Sequence, residues 1–202
     1  MLSGCTKDEE ELVHNDEMDS IENGLREEVI FENSVFKVSY NEVYEQPNWI
    51  EYEVRDIVKV ADRDGLRFYE VDSIHTSDDF DYIDNIWDRG HMAPAAAFTD
   101  SFENLNATFS FLNCALQVDK LNSGVWVELE SQNRRWAREF GTLKVRIDLE
   151  FNEGHLILPT NAHVPSGFYK TVLFPDSVKF CYYFPNTVTT MDLEDLLIEC
   201  QK

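Results

Sequence analysis

Apolar and polar positions alternate between residues 35 and 54. Val35, Phe36, Val38 and Tyr40 mark one strand, Gln46-Pro47-Asn48 a turn, and Trp49, Tyr52 and Val54 the next strand. DRDGLRF (62–68) predicts a glycine turn, and the acidic SDDFDYIDN (77–85) a surface loop. ATFSFLNCALQV (107–118) is aromatic and β-leaning. The period then changes: Leu121, Val125, Leu129 and Trp136 recur at helical intervals, predicting a helix over 120–140 with Gly141 as its C-terminal cap. Beyond it, LKVRIDLEF, HLILP, FYKTVLF and VKFCYYF read as strands punctuated by Pro159, Pro165, Pro175 and Pro185, and MDLEDLLIECQ as a short closing helix. Strands on both sides of one strong helix, without βαβ alternation, predict an α+β fold of mixed or antiparallel sheets packed with helices.

Charge divides the chain. The 202 residues carry a formal charge of −22. Residues 1–32 hold eleven acidic side chains against Lys7 and Arg26, net −9, and few apolar positions. This predicts a solvated tail over 1–33, with at most a short helix near Ile21–Val29, and a folded domain over 34–202. The domain is itself acidic, which argues against a general polyanion-binding surface. One window inverts the sign: QNRRWAREFGTLKVR (132–146) has Arg134, Arg135, Arg138, Lys144 and Arg146 against Glu139 alone.

The four cysteines lack CxxC spacing, which argues against a structural zinc site. Cys114 and Cys181 lie in apolar runs and read as buried free thiols, with a Cys181–Cys200 bridge as the alternative. LSGC (2–5) resembles the lipobox of bacterial lipoproteins, although no apolar leader precedes it in this sequence. A lipidated Cys5, an acidic tether and an extracytoplasmic location in a bacterium form one consistent expectation.

Two clusters carry candidate chemistry. In WDRGHMAPAAAF (87–98), His91 taken alone is a hydrogen-bonded core or surface imidazole. Its neighbours alter that: Gly90 permits backbone conformations that a side chain forbids, Arg89 supplies a phosphate-matching fork, and Asp88 orients a partner or shapes a turn. In LNSGVWVELESQNRR (121–135), Asn122, Trp126, Glu130 and Arg134 follow at four-residue steps and trace one stripe of a helix. Spacing alone favours a capping asparagine followed by a surface Glu130–Arg134 ion pair.

Taken in order, Asp-Arg-Gly-His and, about thirty residues on, Leu-Asn-x-x-x-Trp-x-x-Leu-Glu resemble the DNA/RNA non-specific endonuclease family, the endonuclease G-like branch of the ββα-metal (His-Me finger) nucleases. YNEVYEQPNWIEYEV, RFYEVDSIH, ATFSFLNCALQ and VPSGFYKTV extend the resemblance over about residues 35–190. It implies a ββα-metal finger and phosphodiester hydrolysis of DNA and RNA with one Mg²⁺, for which Mn²⁺ can substitute. By this resemblance His91 is the general base, Asn122 the direct metal ligand, and Glu130 the holder of metal-bound waters. Arg89 and Arg134 neutralise the phosphate, and Asn113 buttresses the site. An upstream arginine, Arg67 or Arg63, is a further phosphate contact; Arg67, beside Phe68, is preferred. The resemblance also allows a homodimer. Two departures stand out: Leu116 occupies a position where the family usually has proline, and no Gly-Pro strand lies between Lys144 and Pro159. The rival from another class is a surface lipoprotein that keeps the fold as a binding module without turnover.

Overall fold

The computed structural model describes residues 24–188 and 191–200. Cys5 and most of the expected tail lie outside them. Residues 24–28 are not helical, and Val29–Glu32 form the first strand, β1, inside the segment assigned to the tail. β1 pairs antiparallel with the strand over Phe36–Asn41, and just before it Arg26 is tied to Glu42: its Nε lies 2.7 Å from a carboxylate that also accepts the His75 amide. Arg26, donating first of all, holds the Glu42 carboxyl down at about 2.

β2 (Phe36–Asn41) and β3 (Gln46–Val54) follow as predicted, but the turn between them lies at residues 42–45. Asn41 sets it, its Oδ1 accepting from the Val43 and Tyr44 amides at 3.0 Å each. Pro47 instead sits within β3 at a bulge, where the missing amide proton is tolerated. The acidic stretch before β4 (Trp87–His91) is less of a loop than expected. Asp78 caps a 3₁₀ turn over Asp79–Tyr82 that buries Asp81 and Tyr82.

After α1 (Phe102–Ala107) and β5 (Cys114–Val118), the expected single helix is broken. It runs as α2 (Asp119–Leu121), a π-turn over Asn122–Trp126 kinked at Gly124, and α3 (Val127–Phe140). Gly141 ends it at φ 96°, as expected of a C-terminal glycine. β6 (Leu143–Glu150), β7 (Gly167–Leu173) and β8 (Lys179–Pro185) match three predicted strands. HLILP does not become a strand; only the Ile157–His163 bridge forms, around a turn closed by Leu158 and Asn161. The closing helix is likewise absent from the described residues. Leu193–Leu196 make a 3₁₀ turn and Leu197–Ile198 add β9 to the sheet, where β8 pairing and a Cys181–Cys200 disulfide override local helical preference. Among the described residues Cys114 is the free thiol; it is buried, and burial pushes it up to about 12.

The result is an antiparallel seven-stranded sheet in the order β1-β2-β3-β6-β7-β8-β9, with a separate β4–β5 ribbon. Alternation directs Val38, Ile50, Tyr52, Val145, Phe168 and Val172 into a core shared with Met92, Ala115, Leu129 and Trp126. Trp126 is fully buried, with Phe168 and Phe184 edge-on to its ring at 5.3 and 5.0 Å. The opposite face stays polar: Arg146 lies 4.4 Å above the Trp49 ring and pairs with Glu51 and Asp148. This α+β architecture holds the ribbon and the kinked helix against one face of the sheet.

Candidate active site

The DRGH segment is β4, and its antiparallel partner β5 sets Gly90 opposite Ala115 and His91 opposite Cys114. Gly90 does not supply an unusual backbone conformation, contrary to the expectation from sequence; it lies in regular strand. Its need is for space. A Cβ there would meet the Gln117 side chain, with Gln117 Cβ at 2.7 Å and Oε1 nearer still. Leu116, in the position where proline is usual, donates its amide to Gln46 Oε1 at 3.1 Å, a bond proline could not make.

His91 projects between Phe68 and Phe109, ring centroids 4.8 and 4.9 Å away. Its Nε2 is buried without a hydrogen-bond partner among the described residues. Burial first, and the charge of Arg63 second, push its pKa down to about 4, so the imidazole is neutral near pH 7. Behind it Asn113 is fully buried and clamps the chain: Oδ1 accepts the Ala93 amide at 2.7 Å, while Nδ2 donates to the Ala93 and Thr108 carbonyls.

Asn122 follows α2 as the first residue of the π-turn, before the kink at Gly124, and does not N-cap a helix. Its Nδ2 donates to Asp88 Oδ2 at 3.0 Å, linking the first motif to the second across 34 residues and leaving Oδ1 as the acceptor to offer. Trp126 makes a second link, donating from Nε1 to the His91 carbonyl at 3.3 Å. Glu130, one turn further, is buried and forms no surface ion pair with Arg134. Burial raises its pKa, opposed by Lys170, then Arg134, the Trp126 donor and Arg63.

The arginines divide. Arg63, Arg134 and Arg138 line a cavity of about 360 Å³ together with Arg55 and Lys59. Arg134 donates from Nη2 to Ser131 at 2.9 Å, while its Nη1 is buried without a partner among the described residues. Arg67, the preferred upstream contact from sequence, is exposed and is not among the cavity's lining residues; Arg63 is the one whose charge reaches both His91 and Glu130. Arg89 lies 4.8 Å over the Tyr82 ring and is drawn to Asp79 at 2.7 Å. Arg135 pairs with Gln132 on the solvent side and Arg146 belongs to the outer sheet face, so the cationic window of the sequence is not one surface. Lys170, given no role from sequence, stands 1% exposed with its Nζ 4.0 Å above Trp126. A lysine at an apolar inner-face position of a strand was the signal for it.

Among the described residues no three His, Cys, Asp or Glu side chains converge into a metal cage. The amide oxygen of Asn122 and the Glu130 carboxylate fit a hard cation that takes few protein oxygens and keeps most of its waters.

Two antiparallel strands carrying histidine and a following helix carrying Asn122 and Glu130 define the ββα finger class of site. Residues 16–200 match the family described as DNA/RNA non-specific endonuclease, and the chain belongs to that family. It is 31% identical over 158 residues to the mouse (Mus musculus) protein "Nuclease EXOG, mitochondrial", covering 67% of this chain and 41% of that one. It is 30% identical over 162 residues to "Nuclease C1" of Cunninghamella echinulata var. echinulata, covering 71% and 64%. The chain thus spans between two fifths and two thirds of these relatives' lengths. The fold is similar to a chain in the structure titled "Crystal structure of the EndoG/EndoGI complex: Mechanism of EndoG inhibition", with TM-score 0.74, 25% identity, and coverage of 84% of this chain and 80% of that one.

Proposed function

We propose that this protein is a metal-dependent endonuclease that hydrolyses phosphodiester bonds of DNA and RNA, with His91 as general base and one Mg²⁺, replaceable by Mn²⁺. The observation that carries this is the Asp88–Asn122 hydrogen bond, which joins the histidine-bearing strand and the asparagine-bearing helix into one site. Family membership and the relatives' names, nuclease and endonuclease, support hydrolysis.

Asn122 would hold the ion directly, through Oδ1, and Glu130 at one remove. When bound, the ion supplies positive charge that stabilises the leaving 3′ oxygen. His91 takes the proton of the attacking water as its oxygen bonds to phosphorus; the P–O3′ bond breaks, and the departing oxygen is protonated from solvent. The ring is suited to this because it is neutral before the reaction. Arg134 presents an unpartnered Nη1, and Arg89 a fork that must leave Asp79, to charge building on the phosphate. Asn113 and Asp88 keep the His91 and Asn122 backbones and side chains in place.

The test is nicking of supercoiled plasmid, and cleavage of a single-stranded RNA, with Mg²⁺ in the presence and absence of chelator. Wild type should cut both, chelator should abolish cutting, and His91→Ala should cost about 100-fold or more. Intact plasmid across Mg²⁺ and Mn²⁺ series would remove the proposal. We also infer an extracytoplasmic, lipid-anchored location. The Cys181–Cys200 disulfide supports export, because such bonds persist in oxidising compartments. Palmitate labelling of wild type but not of Cys5→Ser cells is expected; equal labelling refutes the anchor.

A further inference from the structure

We propose that His155 and His163 form a proton-operated latch, which holds the loop between β6 and β7 closed while the pair carries at most one proton and releases it when a second binds. The latch stands apart from the nuclease reading, since neither ring belongs to the site above. The two imidazoles meet directly: His155 Nε2 lies 2.6 Å from His163 Nδ1. A further contact fixes their tautomers. His155 Nδ1 is 2.9 Å from the Asn152 carbonyl, which can only accept, so that nitrogen holds the proton and Nε2 of the neutral ring keeps its lone pair. His163 Nδ1 must then donate to it. A proton arriving at His163 Nε2 leaves this bond intact. One arriving at His155 Nε2 sets two N–H donors and two positive rings against each other.

The surroundings offer little to offset that second charge. Tyr44, from the β2–β3 turn, stacks on His163 with ring centroids 4.2 Å apart and an interplanar angle of 13°, and Phe151 stands 5.3 Å from His155. The turn's carboxylates are engaged elsewhere, Glu42 by Arg26 and Glu45 by His75. Glu150 accepts the Tyr169 and Tyr183 hydroxyls, and Glu153 is exposed. Burial first, and His155 second, lower the pKa of His163. The loop held by this pair covers the ribbon. Its His163 amide donates to the Tyr44 carbonyl at 2.9 Å, and Leu158, Ala162 and Val164 pack in one cluster with Cys114, Leu116 and Phe68. Cys114 lies opposite His91 in the ribbon, and Phe68 packs on the His91 ring. Opening the latch therefore loosens the packing behind the strand that carries His91.

The test follows amide hydrogen exchange of the full-length protein from pH 7.5 to 5, expressed as protection factors so that the intrinsic pH dependence of exchange drops out. This range stays above the His91 transition at about 4. The closed pair binds fewer protons than the open loop, so loop protection is complete above a pH of about 6.5 and is lost as pH falls. In wild type the Leu158, His163 and Val164 amides should lose protection about tenfold or more by pH 5, while Val145 and Ile147 in β6 keep theirs. His155→Gln and His163→Gln, neither able to place two positive rings together, should show no such local loss. Unchanged loop protection, a loss shared equally by β6, or the wild-type loss persisting in both variants overturns the inference. Should a variant fail to fold, wild type decides through the NMR titration of its imidazoles. Two steps about one pH unit or more apart support the latch, and coincident steps near the ordinary value of about 6.5 overturn it.

Discussion

Acidification should destabilise this protein through His91 in a calculable way. The imidazole is held near a pKa of about 4, against 6.5 in an unfolded chain, chiefly because Phe68 and Phe109 exclude water from it and Arg63 lies nearby. The unfolded state therefore binds the proton more readily, and stability contributed by the neutral ring is complete above pH 6.5 and lost as pH falls towards 4. At about 1.4 kcal/mol per unit, the loss attributable to this one group is about 1.4 kcal/mol at pH 5.5 and about 2.6 kcal/mol at pH 4.5. A chain this acidic changes stability with pH for other reasons too, so the assay is a difference. Urea unfolding of wild type and of His91→Gln is measured from pH 7.5 to 4.5, and the wild-type minus variant free energy is plotted. The difference should fall by about 2–3 kcal/mol over that range. A flat difference would show that His91 is hydrated or paired in solution, and would refute the water-shielded ring.

Other substitutions probe the supports of the site. Gly90→Ala should destabilise by about 1–3 kcal/mol, read by thermal unfolding, because its Cβ would overlap Gln117; unchanged melting would mean that Gln117 can turn away freely. Asp88→Ala should leave stability within about 1.5 kcal/mol of wild type but raise the Mg²⁺ concentration needed for half-maximal cleavage, since Asn122 loses its anchor. Arg138→Ala should raise KM and lower the salt dependence of DNA binding by about one ion, whereas Arg135→Ala, on the solvent side, should alter neither. Cys181→Ser should cost about 3 kcal/mol relative to oxidised wild type, from a 19-residue separation, and reduced wild type should show the same loss in urea unfolding.

Residue spacing made β2, β3, β6, β7 and β8 legible, because each is a half-buried strand whose alternation is written directly in side-chain polarity. It failed where distant contacts outweigh local preference. MDLEDLLIECQ has helical periodicity, yet pairing with β8 and the Cys200 bridge draw it into a turn and a short strand. The single helix expected over 120–140 breaks at Gly124, and that break is what presents Asn122 to Asp88.

At the site, the sequence alone determined which chemical groups are present and their order: His91, Asn113, Asn122, Glu130, Arg89 and Arg134, in motifs specific enough to indicate a family. What it could not determine was which of these groups meet and in what medium. Arg63 rather than Arg67 reaches His91 and Glu130, Arg89 is diverted to Asp79, and Lys170 lies beside Trp126 from a strand forty residues away. Charge interactions depend on distance and on exclusion of water, and both are properties of the packed chain, not of spacing along it. Only the tertiary structure of this strongly acidic chain gathers Arg55, Lys59, Arg63, Arg134 and Arg138 around one cavity and buries His91 as a neutral ring.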